Sequence, residues 1–167
     1  MTTVYLGFGS NLGLRRRNIE RTIAALKPGV VIEAVSALYE TAPMYVAEQP
    51  PFLNAVARGQ TALAPIDLLH FVKDIERTMG RVTTARYGPR LIDIDILFYG
   101  NQAIDLPYLT IPHPRVAERE FVLRPLADIA PDFKHPALGK TVLELLAALA
   151  ADPSMKRLEQ GLAKAGS

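Results

Sequence analysis

The sequence predicts an α+β domain of the ferredoxin-like kind, an antiparallel sheet in the order β-α-β-β-α-β with helices packed mainly on one face and a C-terminal helical extension. Three observations predict it. Apolar residues switch between strand-like and helix-like periods in that order over the first hundred positions. The 167 residues, 49% apolar and 22% charged, suffice for one core and fall short of two. No repeat, low-complexity tract or linker interrupts them, so residues 1–167 read as a single domain.

Each element has its own signal. Val4–Phe8 reads as a first buried strand that stops at the turn-like Gly9-Ser10-Asn11. Ile19, Ile23 and Leu26 recur at helical spacing until Pro28-Gly29 ends the helix. A β-rich run covers Val30–Tyr39, a loop with Pro43, Pro50 and Pro51 covers 41–52, and Leu53–Thr61 is the next strand. Pro65 suits the first turn of a second helix, where its missing N–H costs nothing. Leu68, Leu69, Val72, Ile75 and Met79 form that helix's apolar stripe, and Gly80 closes it. Ile92–Tyr99 is a strong strand, with Gly100-Asn101 as a two-residue hairpin turn. Thr141-x-x-Glu144 is a capping box ahead of Leu145, Leu146 and Leu149. Beyond Asp152 a further helix is expected.

Composition narrows the chemistry. With no cysteine, the chain has no disulfide, no thiolate nucleophile and no zinc–thiolate site. No apolar run approaches the ~18 residues of a membrane span. The N-terminus lacks the basic start and apolar stretch of a secretory signal, so a cytoplasmic location is the expectation. The net charge of +2 is too small to suggest nucleic-acid binding, and a monomer is expected. Of 13 arginines, however, Arg81, Arg86, Arg90, Arg115, Arg119 and Arg124 crowd into one stretch. Guanidinium is the planar donor that suits phosphate oxygens, although a solvated basic face has the same appearance.

The most specific segment runs Arg86-Tyr87-Gly88-Pro89-Arg90-Leu91-Ile92-Asp93-Ile94-Asp95-Ile96-Leu97. On a strand Asp93 and Asp95 project from one face, roughly 6.5–7 Å apart, while the isoleucines enter the core. Paired carboxylates are hard oxygen ligands of the kind Mg²⁺ shares with substrate phosphates. Acids on the wet side of an ordinary strand are the bland alternative, but acids are poor strand formers, and these follow a Gly-Pro turn and two arginines. Metal ligands beside arginines are what polyphosphate chemistry requires. His113 lies between prolines in a rigid, exposed loop, serving either a substrate or a turn. His70, beside the stripe of the second helix, reads as a partly buried structural histidine, and His135 carries no signal.

Gly9-Ser10-Asn11-Leu12-Gly13, Thr41-Ala42-Pro43-Met44, Phe52-Leu53-Asn54-Ala55, Arg81-Val82, the Arg86–Leu97 segment, and Pro112-His113-Pro114-Arg115 with Arg119-x-Phe121 occur in that order. Together, over residues 1–150, they resemble the 6-hydroxymethyl-7,8-dihydropterin pyrophosphokinase family, an ATP-dependent diphosphotransferase of folate biosynthesis. The resemblance implies that Asp93 and Asp95 hold two Mg²⁺ ions bridging the ATP phosphates. Arg81, Arg90, His113 and Arg119 would contact the triphosphate, with Thr110 and the Ile96 region near the nucleoside. The pterin would lie between Phe52 and Phe121, its edge read by Asn54 and by backbone around Thr41, Ala42 and Met44. Stacked aromatics suit a flat heteroaromatic, and an amide both donates and accepts as a pterin edge requires; core packing is the ordinary alternative for both phenylalanines. The chain departs from the family at Thr83-Thr84, where a basic residue often stands, and at Tyr87, Phe52 and Ala42, which replace a common tryptophan, tyrosine and proline. The loop from 81 to 90 is also one residue shorter than in some members.

The implied reaction is in-line attack of the pterin hydroxyl on the β-phosphorus of ATP with AMP leaving, catalysed by positioning and electrostatics. No dedicated general base is evident: either an aspartate takes the proton or the metal acidifies the hydroxyl. Loops 43–52 and 81–90 are expected to close over the substrates. Two competitors remain, a non-catalytic small-molecule sensor on the same fold and an RNA-binding module suggested by Leu6-Gly7-Phe8-Gly9. The glycines form neither a Walker loop nor a dinucleotide fingerprint.

Overall fold

A computed structural model describes residues 1–42, 50–80, 91–158 and 162. The expected loops at 43–49 and 81–90 lie outside the described residues.

The central sheet contains β1 (Thr2–Ser10), β2 (Val31–Val35), β3 (Tyr39–Thr41), β4 (Phe52–Thr61), β5 (Asp93–Tyr99) and β8 (Lys156–Arg157). Its order is β5-β1-β4-β3-β8, with β2 also on β4, and every pair is antiparallel. The long centre strands pair in one register from Thr2↔Thr61 to Ser10↔Leu53. β1 therefore runs on through Gly9 and Ser10, where the sequence suggested a turn. The single run expected over 30–39 is split between β2 and β3. Ser36 causes the break: its backbone N–H bonds Val56 O at 2.9 Å while its Oγ accepts the Val56 N–H at 2.9 Å. The side chain thus stands in for a ladder carbonyl while the chain steps from one end of β4 to the other.

Helices α1 (Arg15–Ala25) and α2 (Pro65–Thr78) cover one face. Their Ile19, Ile23, Leu68, Val72 and Ile75 pack against Val4, Leu6, Phe8, Ile94 and Ile96 in one continuous core. Pro65 opens α2, and Gly80 leaves it at φ +88°, which a side chain would resist.

The expectation of helices mainly on one face is corrected by α3 (Glu120–Ile129) and α4 (Val142–Ala147), which lie on the other. The reason is a bulge in β5. Tyr5 pairs with Phe98 and Leu6 with Ile96, so Leu97 is the extra residue. Leu97 and Phe98 then both face the second layer, with Tyr5 and Val56, and this apolar ground needs a cover. Val122, Leu123, Leu126 and Leu145 supply it. The Thr141/Glu144 capping box opens α4 as expected.

Three further expectations are corrected. Gly100-Asn101 does form a turn, with Gly100 at φ +54°. The next strand does not return along β5, because β6 (Ile104–Leu106) pairs with β7 (Leu109–Ile111) in a separate ribbon. Between Asp152 and Leu158 the chain holds a short strand rather than a helix, since the open edge of β3 offers backbone groups that Lys156 and Arg157 satisfy, and the rest of the expected helix, Leu162 apart, lies outside the described residues. His70 is exposed on α2, whereas His135 is buried, its Nδ1 accepting the amides of Ala137 and Leu138 and its ring edge-on to Phe98 at 5.5 Å.

Candidate active site

The face that carries α3 and α4 is only partly covered. At the end of the sheet nearer Ser10 it holds polar groups in place of a core. Asp93 and Asp95 project there beside Leu97, with Gly9 and Gly7 of β1 as their register partners. Gly9 is flanked on its other side by Asn54 of β4. Adjacent strands are about 4.8 Å apart, so roughly 9.6 Å of sheet separates the carboxylate row from the amide. The floor between them is glycine. A Cβ on Gly9 would come within 3.3 Å of Asn54 Oδ1 and 3.5 Å of Phe52, and one on Gly7 would touch Leu97.

β5 is an edge strand, and its free backbone groups are used for positioning. Ile94, between the two aspartates, donates its N–H to Glu76 Oε2 at 2.8 Å. Glu76 is almost fully buried on α2 and pairs with Lys73 Nζ at 3.2 Å. On the same strand Leu97 O accepts the His113 N–H at 3.0 Å, which docks the loop after β7 against the acids. The sequence did not single out Glu76, although a glutamate on the stripe of Leu68, Val72 and Ile75 was a readable signal.

The electrostatics single out this corner. Burial first, and the like charge of Asp93 second, push the Asp95 carboxyl up to about 7, with Arg119 pulling the other way. Burial and then Arg119 push the His113 imidazole down to about 4, opposed by Asp93. At neutral pH His113 is therefore uncharged. Its Nδ1 accepts the Arg115 N–H at 3.2 Å, so the ring proton sits on Nε2. Arg119, at the N-cap of α3, lies 5.4 Å from the Phe121 ring centroid, and its buried Nε has no hydrogen-bond partner. A buried guanidinium N–H left unsatisfied beside a carboxylate pair fits an anion that arrives with its own cation.

The structure thus brings Asp93, Asp95, His113 and Arg119 together. Thr110 is exposed on β7, and the Ile96 side chain is buried in the α1/α2 core, on the face opposite the acids. Arg81, Arg90 and Met44 lie outside the described residues. On the other side of the glycine floor Asn54 Nδ2 donates to Thr41 Oγ1 at 2.9 Å, and both residues are buried. That bond leaves Asn54 Oδ1 facing the space above Gly9. Phe52 and Phe121 are both half-buried, and Ala42 is exposed at the end of β3. Asn11 and Arg15 hold the approach to Phe52 through the carbonyls of Pro50 and Pro51, and Arg15 also pairs with Glu40 at 2.8 Å. Among the described residues no three His, Asp or Glu side chains cluster as a metal cage. Two carboxylates alone suit Mg²⁺, which takes its remaining ligands from phosphate and water. Phe8, the aromatic of the RNA-like motif, is buried in the α1/α2 core and offers no stacking surface.

Residues 5–131 match the family model described as 7,8-dihydro-6-hydroxymethylpterin-pyrophosphokinase. The chain is 47% identical over 147 residues to the 2-amino-4-hydroxy-6-hydroxymethyldihydropteridine pyrophosphokinase of Pseudomonas aeruginosa, covering 87% of this chain and 90% of that one. It is 50% identical over 138 residues to the folic acid synthesis protein FOL1 of Dictyostelium discoideum, covering 83% of this chain and spanning only 21% of that longer protein. The fold matches a crystal structure of Plasmodium falciparum HPPK-DHPS with a TM-score of 0.76 at 18% identity, over 93% of this chain and 48% of that one. On the family match and the near-full-length Pseudomonas relative, the chain belongs to the 7,8-dihydro-6-hydroxymethylpterin-pyrophosphokinase family.

Proposed function

We infer that this protein transfers the β,γ-diphosphate of ATP to the hydroxymethyl group of 6-hydroxymethyl-7,8-dihydropterin, releasing AMP, as a step of folate biosynthesis. One observation carries the reading: the paired carboxylates, and Arg119 with its unpartnered Nε, stand across a glycine floor from a buried Asn54–Thr41 pair. A polyphosphate end and a heterocycle end thereby share one face of one sheet. A metal-free sensor needs no such acid pair, and the buried Phe8 removes the basis for an RNA module.

Asp93 and Asp95 would hold Mg²⁺, two ions in this reading, which when bound neutralise phosphate oxygens and make the phosphorus more electrophilic. The chain's own groups do the rest. Arg119 donates its free N–H to the polyphosphate, and neutral His113 donates from Nε2 without adding charge. Arg81 and Arg90 extend this donor set, on the strength of their place in the sequence, and Thr110 borders the nucleoside. Asn54 Oδ1 accepts from the pterin edge, the backbone of Thr41, Ala42 and Met44 completes that edge, and Phe52 and Phe121 stack on the ring. Each reactant is held by a rigid strand, so the attacking oxygen and the phosphorus meet at fixed separation, which is the main source of rate in such transfers. The same reading assigns the β1-α1-(β2/β3)-β4-α2-β5 order to the ferredoxin-like class, with α3 and α4 as an added second layer.

The test is a mixture of protein, Mg²⁺, ATP and 6-hydroxymethyl-7,8-dihydropterin, with nucleotides separated by chromatography. AMP formed in step with a diphosphorylated pterin is expected. ADP as the nucleotide product, or AMP formed equally well without pterin, overturns the reading.

A further inference from the structure

The segment after α4 runs back across the second layer and ends beside β3. Its polar anchor is Glu120, the first residue of α3, which sits between Arg119 and Phe121 in the chain and is largely buried. Glu120 Oε1 accepts from Arg124 Nη2 at 2.7 Å, and Oε2 accepts the Asp152 N–H at 2.7 Å. Asp152 Oδ1 in turn accepts both the N–H and the Oγ–H of Ser154 at 2.8 Å. Ser154 Oγ lies 3.5 Å from the Ala42 N–H that it accepts, and the chain then pairs Lys156 with Glu40 and Arg157 with Tyr39. A continuous polar chain thus joins the start of α3 to the end of β3.

An open groove of about 540 Å³ runs beside this chain, bordered by Tyr39, Glu120, Arg124, Leu146, Asp152 and Arg157. At its far end α3 is tied to the sheet directly, because Tyr39 donates its hydroxyl to Asp128 at 2.9 Å. At its near end, which carries Phe121, the Glu120–Asp152–Ser154 chain is the polar tie to β3 among the described residues. Val122 and Leu123 pack this helix end onto the sheet, but on the side of the groove the polar ties are what hold it to β3.

We propose that Glu120 is a positioning residue, and that with residues 152–157 it forms a strap fixing the gap between Phe121 on α3 and Thr41-Ala42 on β3, which sets affinity for the pterin. The inference rests on the pterin site proposed above. The strap does not touch the carboxylates or His113, which are fixed through β5, so of the nucleotide contacts it reaches only Arg119 at the same helix end, and its larger effect falls on the pterin. Gln at position 120 keeps an acceptor oxygen for the Asp152 N–H, whereas Ala removes it.

The experiment titrates pterin by fluorescence and measures KM for pterin and for ATP in the wild type, Glu120→Ala, Glu120→Gln and Ser154→Ala. Glu120→Ala is expected to weaken pterin binding and raise pterin KM five- to tenfold, with a clearly smaller rise in ATP KM through Arg119. Glu120→Gln should restore most of the loss, and Ser154→Ala should give a smaller shift in pterin KM alone. Unchanged pterin affinity in both Ala variants, or equal shifts for both substrates, overturns the strap while leaving the function standing. A wild type that neither binds pterin nor releases AMP removes the functional reading and the strap with it.

Discussion

The two faces of the sheet are built from the same strands and do opposite things. Against α1 and α2 the inward residues of β1, β4 and β5 are apolar except at the strand ends, where the buried Ser10 and Thr61 are hydrogen-bonded, and the layer closes dry. Against α3 and α4 the apolar ground stops at Leu97 and Val56, and beyond it come two acids, two glycines and an amide. A strand alternates faces at every residue, so a closed core on one side can fix polar side chains on the other to within the tolerance of the backbone. Ile94 and Ile96 are the anchors that make Asp93 and Asp95 rigid. The dry face is how this chain positions its chemistry.

That contrast can be broken most severely from the wet side. Asp95→Ala should lower turnover by about 10³-fold or more, the scale of losing a main electrostatic stabiliser, while thermal unfolding stays cooperative. A steady-state assay beside a melting curve measures both. From the dry side the expectation reverses: Leu68→Ala should cost about 2–5 kcal/mol of stability and leave turnover of the folded fraction near normal. Denaturant unfolding with an activity assay on the same sample reads the two quantities together. Glu76 links the faces. Glu76→Ala leaves the Ile94 N–H and Lys73 without this acceptor, which should cost about 1–3 kcal/mol and also lower turnover, because the strand between the two acids loosens.

The smallest effect is one of pH. The raised Asp95 group binds a proton in the folded state at pH values where the unfolded chain has lost it. In the metal-free protein its contribution is full below about pH 4 and is lost as pH rises towards 7. Mg²⁺ with an ATP analogue should therefore raise the melting temperature more at pH 8 than at pH 5. Equal shifts at the two values would show that the carboxylate pair is not where the cation binds.

Much of this arrangement was readable from residue order, and its gaps have physical causes. Two acids at i and i+2 in an isoleucine strand must share a face, so the common projection of Asp93 and Asp95 was readable. The same rule places the Ile96 side chain in the α1/α2 core, on the face opposite the acids. Gly9 resembled the start of a turn, because a glycine chosen to leave floor space looks in sequence like one chosen for flexibility. The bulge at Leu97 was hidden, since two adjacent apolar residues give no sign of both facing one way, and with it went the second helical layer. His135 gave no signal because its bonds go to backbone amides, which carry no sequence.

The most direct measurement is binding of Mn²⁺, as a spectroscopic stand-in for Mg²⁺, followed by electron paramagnetic resonance with a non-hydrolysable ATP analogue. The wild type should take up the ion at least tenfold more tightly with nucleotide than without, and Asp95→Ala should lose that gain. Equally tight nucleotide-dependent uptake by Asp95→Ala would contradict the claim that these two strand carboxylates hold the cation of the bound nucleotide.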